Sequence, residues 1–174
     1  MKHSKPPYKE TAMLTVLRLK WEELTLEITT LLDKVTRDYK FDKIIAIPRG
    51  GYLTGMLASY RFDKPLLLPN DLPDHLIDKV NSYLVVDDLC DTGRTLVDFT
   101  SYWRDRIQMR TAVTYLKPHS VFKPDYHIFE VPNTTWIQFP YEKEVCSAQS
   151  EIDAHLKKSM KDSKDFKEPY MEYI

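Results

Sequence analysis

Two adjacent carboxylates at the end of an apolar run, followed at once by a turn of glycine and hydroxyl residues, mark Tyr83-Leu84-Val85-Val86-Asp87-Asp88-Leu89-Cys90-Asp91-Thr92-Gly93-Arg94-Thr95 as the segment richest in chemistry. Ser82 to Val86 has the character of a strand buried in a parallel sheet, and it delivers Asp87 and Asp88 at its C-terminal end. In open α/β sheets, ligands bind at that edge. Thr92 and Thr95 supply hydroxyl donors, and Gly93 lets the backbone approach a ligand closely. The helix that follows presents its N-terminus, which together with the N–H groups of the turn suits a phosphate. The acidic pair beside it suits a diol or a hard metal ion. The plain structural alternative is a capped helix after a strand, with a solvated acidic turn between them.

A second loop, Arg49-Gly50-Gly51, follows the apolar run Ile44-Ile45-Ala46-Ile47. By itself a Gly-Gly pair is most often only a turn. Lys117 after a strand and Trp136 near the end of the core are equally open: a solvated lysine and a core aromatic account for them as well as binding roles do. His75, His119, His127 and His155 show no metal-ligand spacing and read as structural or surface residues. Cys90, inside the acidic segment, reads as a packing residue.

Taken together, the thirteen residues Tyr83 to Thr95 closely resemble, without a gap, the phosphoribosyl pyrophosphate (PRPP) signature of type I phosphoribosyltransferases. The resemblance implies that Asp87 and Asp88 hold the ribose hydroxyls of PRPP, partly through Mg2+ and its waters. It implies that Asp91, Thr92, Gly93, Arg94 and Thr95 wrap the 5′-phosphate. Arg49, Gly50 and Gly51 match the family's pyrophosphate loop, where a cis peptide bond is typical and would lie between Pro48 and Arg49.

Three further stretches resemble the bacterial xanthine–guanine type within that family. They are Leu19-Lys20-Trp21-Glu22-Glu23-Leu24, Tyr115-Leu116-Lys117-Pro118, and Thr134-Thr135-Trp136-Ile137-Gln138-Phe139-Pro140-Tyr141. The likeness then runs from about Thr15 to Tyr141. It implies that Trp136 stacks on a purine, that Lys117 donates to an O6 oxygen, and that backbone groups of Ile137 meet the opposite edge. Asp91 stands where 6-oxopurine members carry an acidic residue near N7. The implied activity is transfer of the phosphoribosyl group from PRPP to guanine, xanthine or hypoxanthine, with Arg49 and Asp91 as catalytic residues. A non-catalytic PRPP or nucleotide sensor, and the same chemistry on another nucleobase, are the alternatives. Relatives carry a long closing loop before the PRPP strand; here only Leu67 to Tyr83 is available, so that either Asp71 to Lys79 forms a small lid, or another subunit helps, or closure is poor.

The elements that must position these residues alternate. Thr15 to Leu19 reads as a short strand. A helix opens at Trp21, with Leu24, Ile28, Leu31, Leu32 and Val35 at helical spacing. Strands are expected at 44–47, 65–68, 82–86, 111–116 and 126–131, and helices at 52–60 and 95–107. That order predicts the type I phosphoribosyltransferase fold: α/β, a central mainly parallel sheet flanked by helices, with a small hood. One domain is expected over 1–146, beginning with a mobile arm over 1–10. A charged extension occupies 147–174, whose Phe166, Tyr170, Met171, Tyr173 and Ile174 predict docking on the body or on a neighbouring subunit.

Composition narrows the remaining classes. The chain has 174 residues, enough for one domain with a real core. A net charge of −1 offers no basic face for nucleic acid or for an anionic membrane. No apolar run approaches a membrane span, and the polar start does not read as a signal peptide. Cys90 and Cys146 lack metal-ligand spacing and point to a reducing cytoplasm. The partners expected are PRPP and a purine base, with a dimer or tetramer of like subunits implied by the family.

Overall fold

The computed structural model describes residues 15–72 and 80–142, together with Ala154, Lys157, Lys158, Lys161 and Asp162 of the C-terminal extension. The arm over 1–10, most of the lid expected over 71–79, His75, Cys146, His155 and the apolar groups of 166–174 lie outside the described residues.

Among residues 15–142 that are described, the elements run β1 Thr15–Arg18, α1 Trp21–Thr36, β2 Lys43–Ala46, α2 Gly51–Phe62, β3 Leu66–Leu67, β4 Ser82–Cys90, α3 Arg94–Trp103, β5 Gln108–Leu116, β6 Tyr126–Glu130 and β7 Thr135–Gln138. Five strands form one sheet in the order β3-β2-β4-β5-β6, and every pairing in it is parallel. β1 and β7 pair apart from it as a two-stranded parallel sheet, the hood.

The alternation of side chains along a strand sorts the apolar residues to two faces. Leu84 and Val86 of β4 join Ile44, Ala46 and Ala112 under α1 and α2. Tyr83 and Val85 join Ile45, Ile47 and Val113 under α3. Both faces of the sheet are therefore covered, as a parallel sheet requires. α1 buries the five apolar residues expected of it, Leu24, Ile28, Leu31, Leu32 and Val35. Its first turn is closed by the Lys20 N–H, which donates to Glu23 Oε2 at 2.9 Å.

Several boundaries differ from expectation, β5 beginning already at Gln108 among them. β4 does not end at Val86 but continues through Cys90, because β5 keeps pairing with it to Leu89↔Tyr115 and Cys90↔Leu116. Asp87 and Asp88 are consequently strand residues, and the turn is reduced to Asp91–Gly93. α3 begins at Arg94 and stops at Trp103, short of 107. Arg104 to Arg106 form a turn that still delivers Ile107 to the core, where it is 5% exposed.

Candidate active site

The sheet presents the ends of β2, β4 and β5 along one edge, and the loops after them converge there. Ile47 N–H donates to the Val86 carbonyl at 2.9 Å, which holds the start of the β2 loop beside the acidic pair. The peptide bond between Pro48 and Arg49 is cis, as the resemblance implies. Gly50 has an ordinary helical backbone (φ −57°), so conformation is not what requires glycine there. Space is: a Cβ on Gly50 would fall on the Asp88 carboxylate. The loop and the carboxylate are thus in direct contact.

Pro48, Arg49, Gly50, Asp87 and Asp88 line a cavity of about 1090 Å³. Trp21, Tyr52, Leu53, Met56, Tyr141 and Glu142 complete its wall, and Arg49 is exposed in it. The Tyr141 hydroxyl donates to Asp88 Oδ2. Asp88 N–H donates to Asp87 Oδ1 at 2.9 Å, and Leu89 N–H to Asp88 Oδ1 at 2.6 Å. Burial pushes the Asp87 carboxyl well above its usual range, and the charge of Asp88 pushes it further. Two carboxylates thus stand side by side with their like charges opposed.

That arrangement fits a hard divalent cation. Among the described residues, no group of three or more His, Cys, Asp or Glu side chains could hold a metal. Two carboxylates without further protein ligands suit Mg2+, which keeps waters and takes oxygens from a phosphate substrate.

The turn after β4 is gripped by the loop after β5. Lys117 N–H donates to the Cys90 carbonyl at 3.0 Å, and Val121 N–H to the Thr92 carbonyl at 3.0 Å. Gly93 sits between them in the left-handed region (φ 83°), and a Cβ there would meet the Ser120 Oγ. α3 starts directly behind it, with Arg94 N–H reaching Thr92 Oγ1 at 3.4 Å. Thr92 is half-buried and Thr95 exposed. Arg94 Nη2 also donates to the Asp162 carbonyl at 2.6 Å, so the C-terminal extension touches the protein at this loop.

The same grip brings three titratable side chains together. Lys117 Nζ lies 3.8 Å from Asp91 Oδ1, and His119 Nε2 lies 3.1 Å from the same oxygen. Lys117 is 1% exposed. Burial pulls its ammonium below the usual lysine range, and Asp91 opposes that pull. Cys90 is buried beneath, its Sγ 3.1 Å from Ser120 Oγ, and burial raises its thiol to about 11. A protonated, buried thiol is packing and not a nucleophile, in keeping with its reading from the sequence.

Trp136 and Ile137 lie on β7, paired with Val16 and Leu17 of the hood. Ile137 is buried in the core under α1, and Trp136 is half-buried. Two groups to which the sequence assigns no role belong here. Tyr141 is visible in it only as the end of an aromatic stretch, and His119 only as a histidine without partners in spacing. Neither has a local pattern that announces its contact with an aspartate.

The comparisons with known proteins agree with this geometry. The phosphoribosyl transferase domain family matches residues 73–147. A xanthine-guanine phosphoribosyltransferase from Nitratidesulfovibrio vulgaris is 28% identical over 145 residues, covering 75% of this chain and 86% of the relative. One from Idiomarina loihiensis is 27% identical over 139 residues, covering 70% and 84%. The crystal structure of a purine phosphoribosyltransferase from Pyrococcus horikoshii superposes with a TM-score of 0.67 at 28% identity, over 77% of this chain and 99% of that one. A parallel sheet with a separate hood, and an acidic pair and a glycine turn on one sheet edge, thus occur in a chain that is similar in sequence and fold to purine phosphoribosyltransferases.

Proposed function

We propose that this chain transfers the phosphoribosyl group from PRPP to a 6-oxopurine base, releasing pyrophosphate and a nucleoside 5′-monophosphate. The observation that carries the reading is the juxtaposition of the Asp91–Lys117 pair with the Asp87–Asp88 edge across two loops bonded to each other. One side offers a cradle for PRPP, and the other offers donors and an acceptor for a base.

In this reading Asp87 and Asp88 hold the ribose diol and its Mg2+. The N–H groups and hydroxyls of Asp91 to Thr95 hold the 5′-phosphate. Arg49, with Gly50 and Gly51, holds the pyrophosphate. Magnesium, when bound with PRPP, would neutralise charge on the departing diphosphate. Bond breaking at C1 leaves positive charge on the ribose ring, so orientation and charge stabilisation supply most of the rate. Lys117 donates to O6 of the base, an interaction for which an adenine amino group has no acceptor. Asp91 manages the proton near N7, and Trp136 stacks on the ring. Trp21 and Tyr141 wall the cavity on the PRPP side.

The test is direct. Mixed with Mg2+, PRPP and single bases, the protein should release pyrophosphate with guanine, xanthine or hypoxanthine at least about tenfold faster than with adenine. PRPP-dependent thermal stabilisation without pyrophosphate release would indicate a sensor on the same fold. Adenine as the best substrate would overturn the base assignment.

A further inference from the structure

Each oxygen of the Asp88 carboxyl accepts a hydrogen bond from within the protein. Leu89 N–H donates to Oδ1 at 2.6 Å, and the Tyr141 hydroxyl donates to Oδ2. Burial, and after it the charge of Asp88, push the Tyr141 phenol above its ordinary value of 10.0, so the hydroxyl keeps the proton that it donates. Gly50 packs on the same carboxyl so closely that a Cβ there would overlap Cγ, Oδ1 and Oδ2 alike. The backbone of β4 thus holds one oxygen, and the loop after β2 covers one face. Tyr141, which lines the cavity together with Asp88, takes the other oxygen.

The local structure fixes Tyr141 in that place. It follows Pro140 in a turn closed twice: Glu142 N–H donates to the Phe139 carbonyl at 3.1 Å, and Phe139 N–H donates to Glu142 Oε2 at 3.1 Å. Proline at the second position presets the turn's φ. The Tyr141 ring stacks on Phe139 with centroids 5.2 Å and planes 9° apart, and it meets Trp21 at 6.3 Å. The turn directly follows β7, and the Gln138 carbonyl at the end of that strand accepts from Leu19 N–H at 3.0 Å. Tyr141 therefore belongs to the hood, and its hydroxyl bonds the hood to the acidic edge of the five-stranded sheet. A ribose alcohol offers Asp88 the same group that Tyr141 offers, one O–H donor.

We propose that Tyr141 is a placeholder on Asp88: its hydroxyl takes the acceptor that a ribose hydroxyl uses, and a ligand bearing the diol displaces it. This rests on the reading above in which Asp88 holds the ribose. The exchange replaces one O–H bond to a carboxyl by another, so a ribose gains less from Asp88 than its hydroxyl alone would bring. A phosphate that does not reach Asp88 leaves Tyr141 where it is. Between turnovers the phenol keeps the carboxyl oriented beside the like charge of Asp87. The nucleoside 5′-monophosphate carries the same diol as PRPP, so the placeholder weakens the grip on product as well as on substrate.

Tyr141→Phe tests it, since that change removes the hydroxyl and keeps a ring to pack on Phe139 and Trp21. In the full-length protein, the Kd for ribose 5-phosphate, measured by calorimetry, should fall about tenfold in Tyr141→Phe, the equivalent of one hydrogen bond to a charged group. The Kd for inorganic phosphate should stay within about twofold of wild type. A gain of affinity confined to the ligand with the diol is not what the loss of a merely structural contact produces. An unchanged Kd for ribose 5-phosphate would overturn the placeholder. A higher one would overturn it too, because the hydroxyl would then be binding the ligand itself. Should Tyr141→Phe not fold, Tyr141→Leu also lacks the hydroxyl and should show the same gain. Failure of the ribose reading shows separately, as a Kd for ribose 5-phosphate that Asp88→Asn leaves unchanged, or as no binding by wild type and variant alike. In either event the placeholder falls with it.

Discussion

The side of the site proposed for PRPP and the side proposed for the base, called the PRPP side and the base side below, are built from different materials. On the PRPP side, strand pairing and backbone contact do the positioning: Ile47 N–H on the Val86 carbonyl, Gly50 against Asp88, and Gly93 in the left-handed region beneath Ser120. On the base side, the Lys117–Asp91–His119–Asn133 chain is side chain against side chain across three loops. Tolerance to substitution follows from that contrast. Backbone geometry admits little change: a Cβ on Gly50 would overlap the Asp88 carboxylate, and one on Gly93 would meet Ser120 Oγ and the Phe122 backbone at a positive φ. Side-chain geometry can be partly rebuilt by a residue with the same donor in the same place.

The strongest challenge to this contrast is to remove the charge that the PRPP side presents. Asp87→Asn with Asp88→Asn should abolish PRPP-dependent thermal stabilisation and lower kcat/KM by about a thousandfold, a loss typical of removing directed electrostatic contacts. An unchanged thermal shift with PRPP would remove the acidic pair from the site. Next in size, Gly50→Ala forces a methyl group onto the Asp88 carboxylate. It should raise the KM for PRPP about ten- to hundredfold while leaving the ratio of guanine to adenine rates unchanged. A KM within about twofold of wild type would mean that the loop yields freely.

Lys117→Ala acts on the base side. It should narrow the guanine-to-adenine ratio by about tenfold with little effect on the KM for PRPP, measured by single-base pyrophosphate release. If that ratio stays fixed, O6 is read by something else.

The smallest effect falls outside both halves and calibrates them. Tyr115 OH donates to Glu27 Oε2 at 2.6 Å, linking α1 to β5. Burial raises the Glu27 carboxyl above its ordinary value of 4.5, with the Tyr115 hydrogen bond opposing and Glu23 adding to the rise. Since the folded state then holds the proton more tightly than the unfolded chain, the stability contributed is greatest at acid pH and falls as pH rises through the carboxyl's titration. Glu27→Gln keeps the acceptor and removes the charge. Partial exposure limits the gain, so the variant should melt about 1–2 °C above wild type at pH 7. The difference should vanish by about pH 4, below the ordinary carboxyl value. A gain of equal size at both pH values would point to packing and not charge.

Much of the fold is legible in the amino-acid pattern. The α1 residues at helical spacing are the ones that it buries, because a helix on a sheet has one inward stripe. The short apolar runs form parallel strands because both faces of each need cover. The ends of elements are less legible. β4 runs on through two aspartates and a leucine to Cys90 because β5 offers it hydrogen-bond partners, a fact about the neighbour and not about the run itself. α3 stops early although Ile107 continues its apolar spacing, since a turn can deliver that side chain to the core as well as a helix can.

The chemistry of the PRPP side is written in one unbroken stretch. An acidic pair, a glycine turn and a helix start are contiguous over thirteen residues, so that local order imposes their proximity. Folding alone brings Tyr141 to Asp88, Arg94 to the Asp162 carbonyl, and His119 between Asn133 and Asp91. These contacts join residues 14 to 68 positions apart. Their proximity depends on sheet order and on the packing of one loop against another, and no spacing along the chain records that.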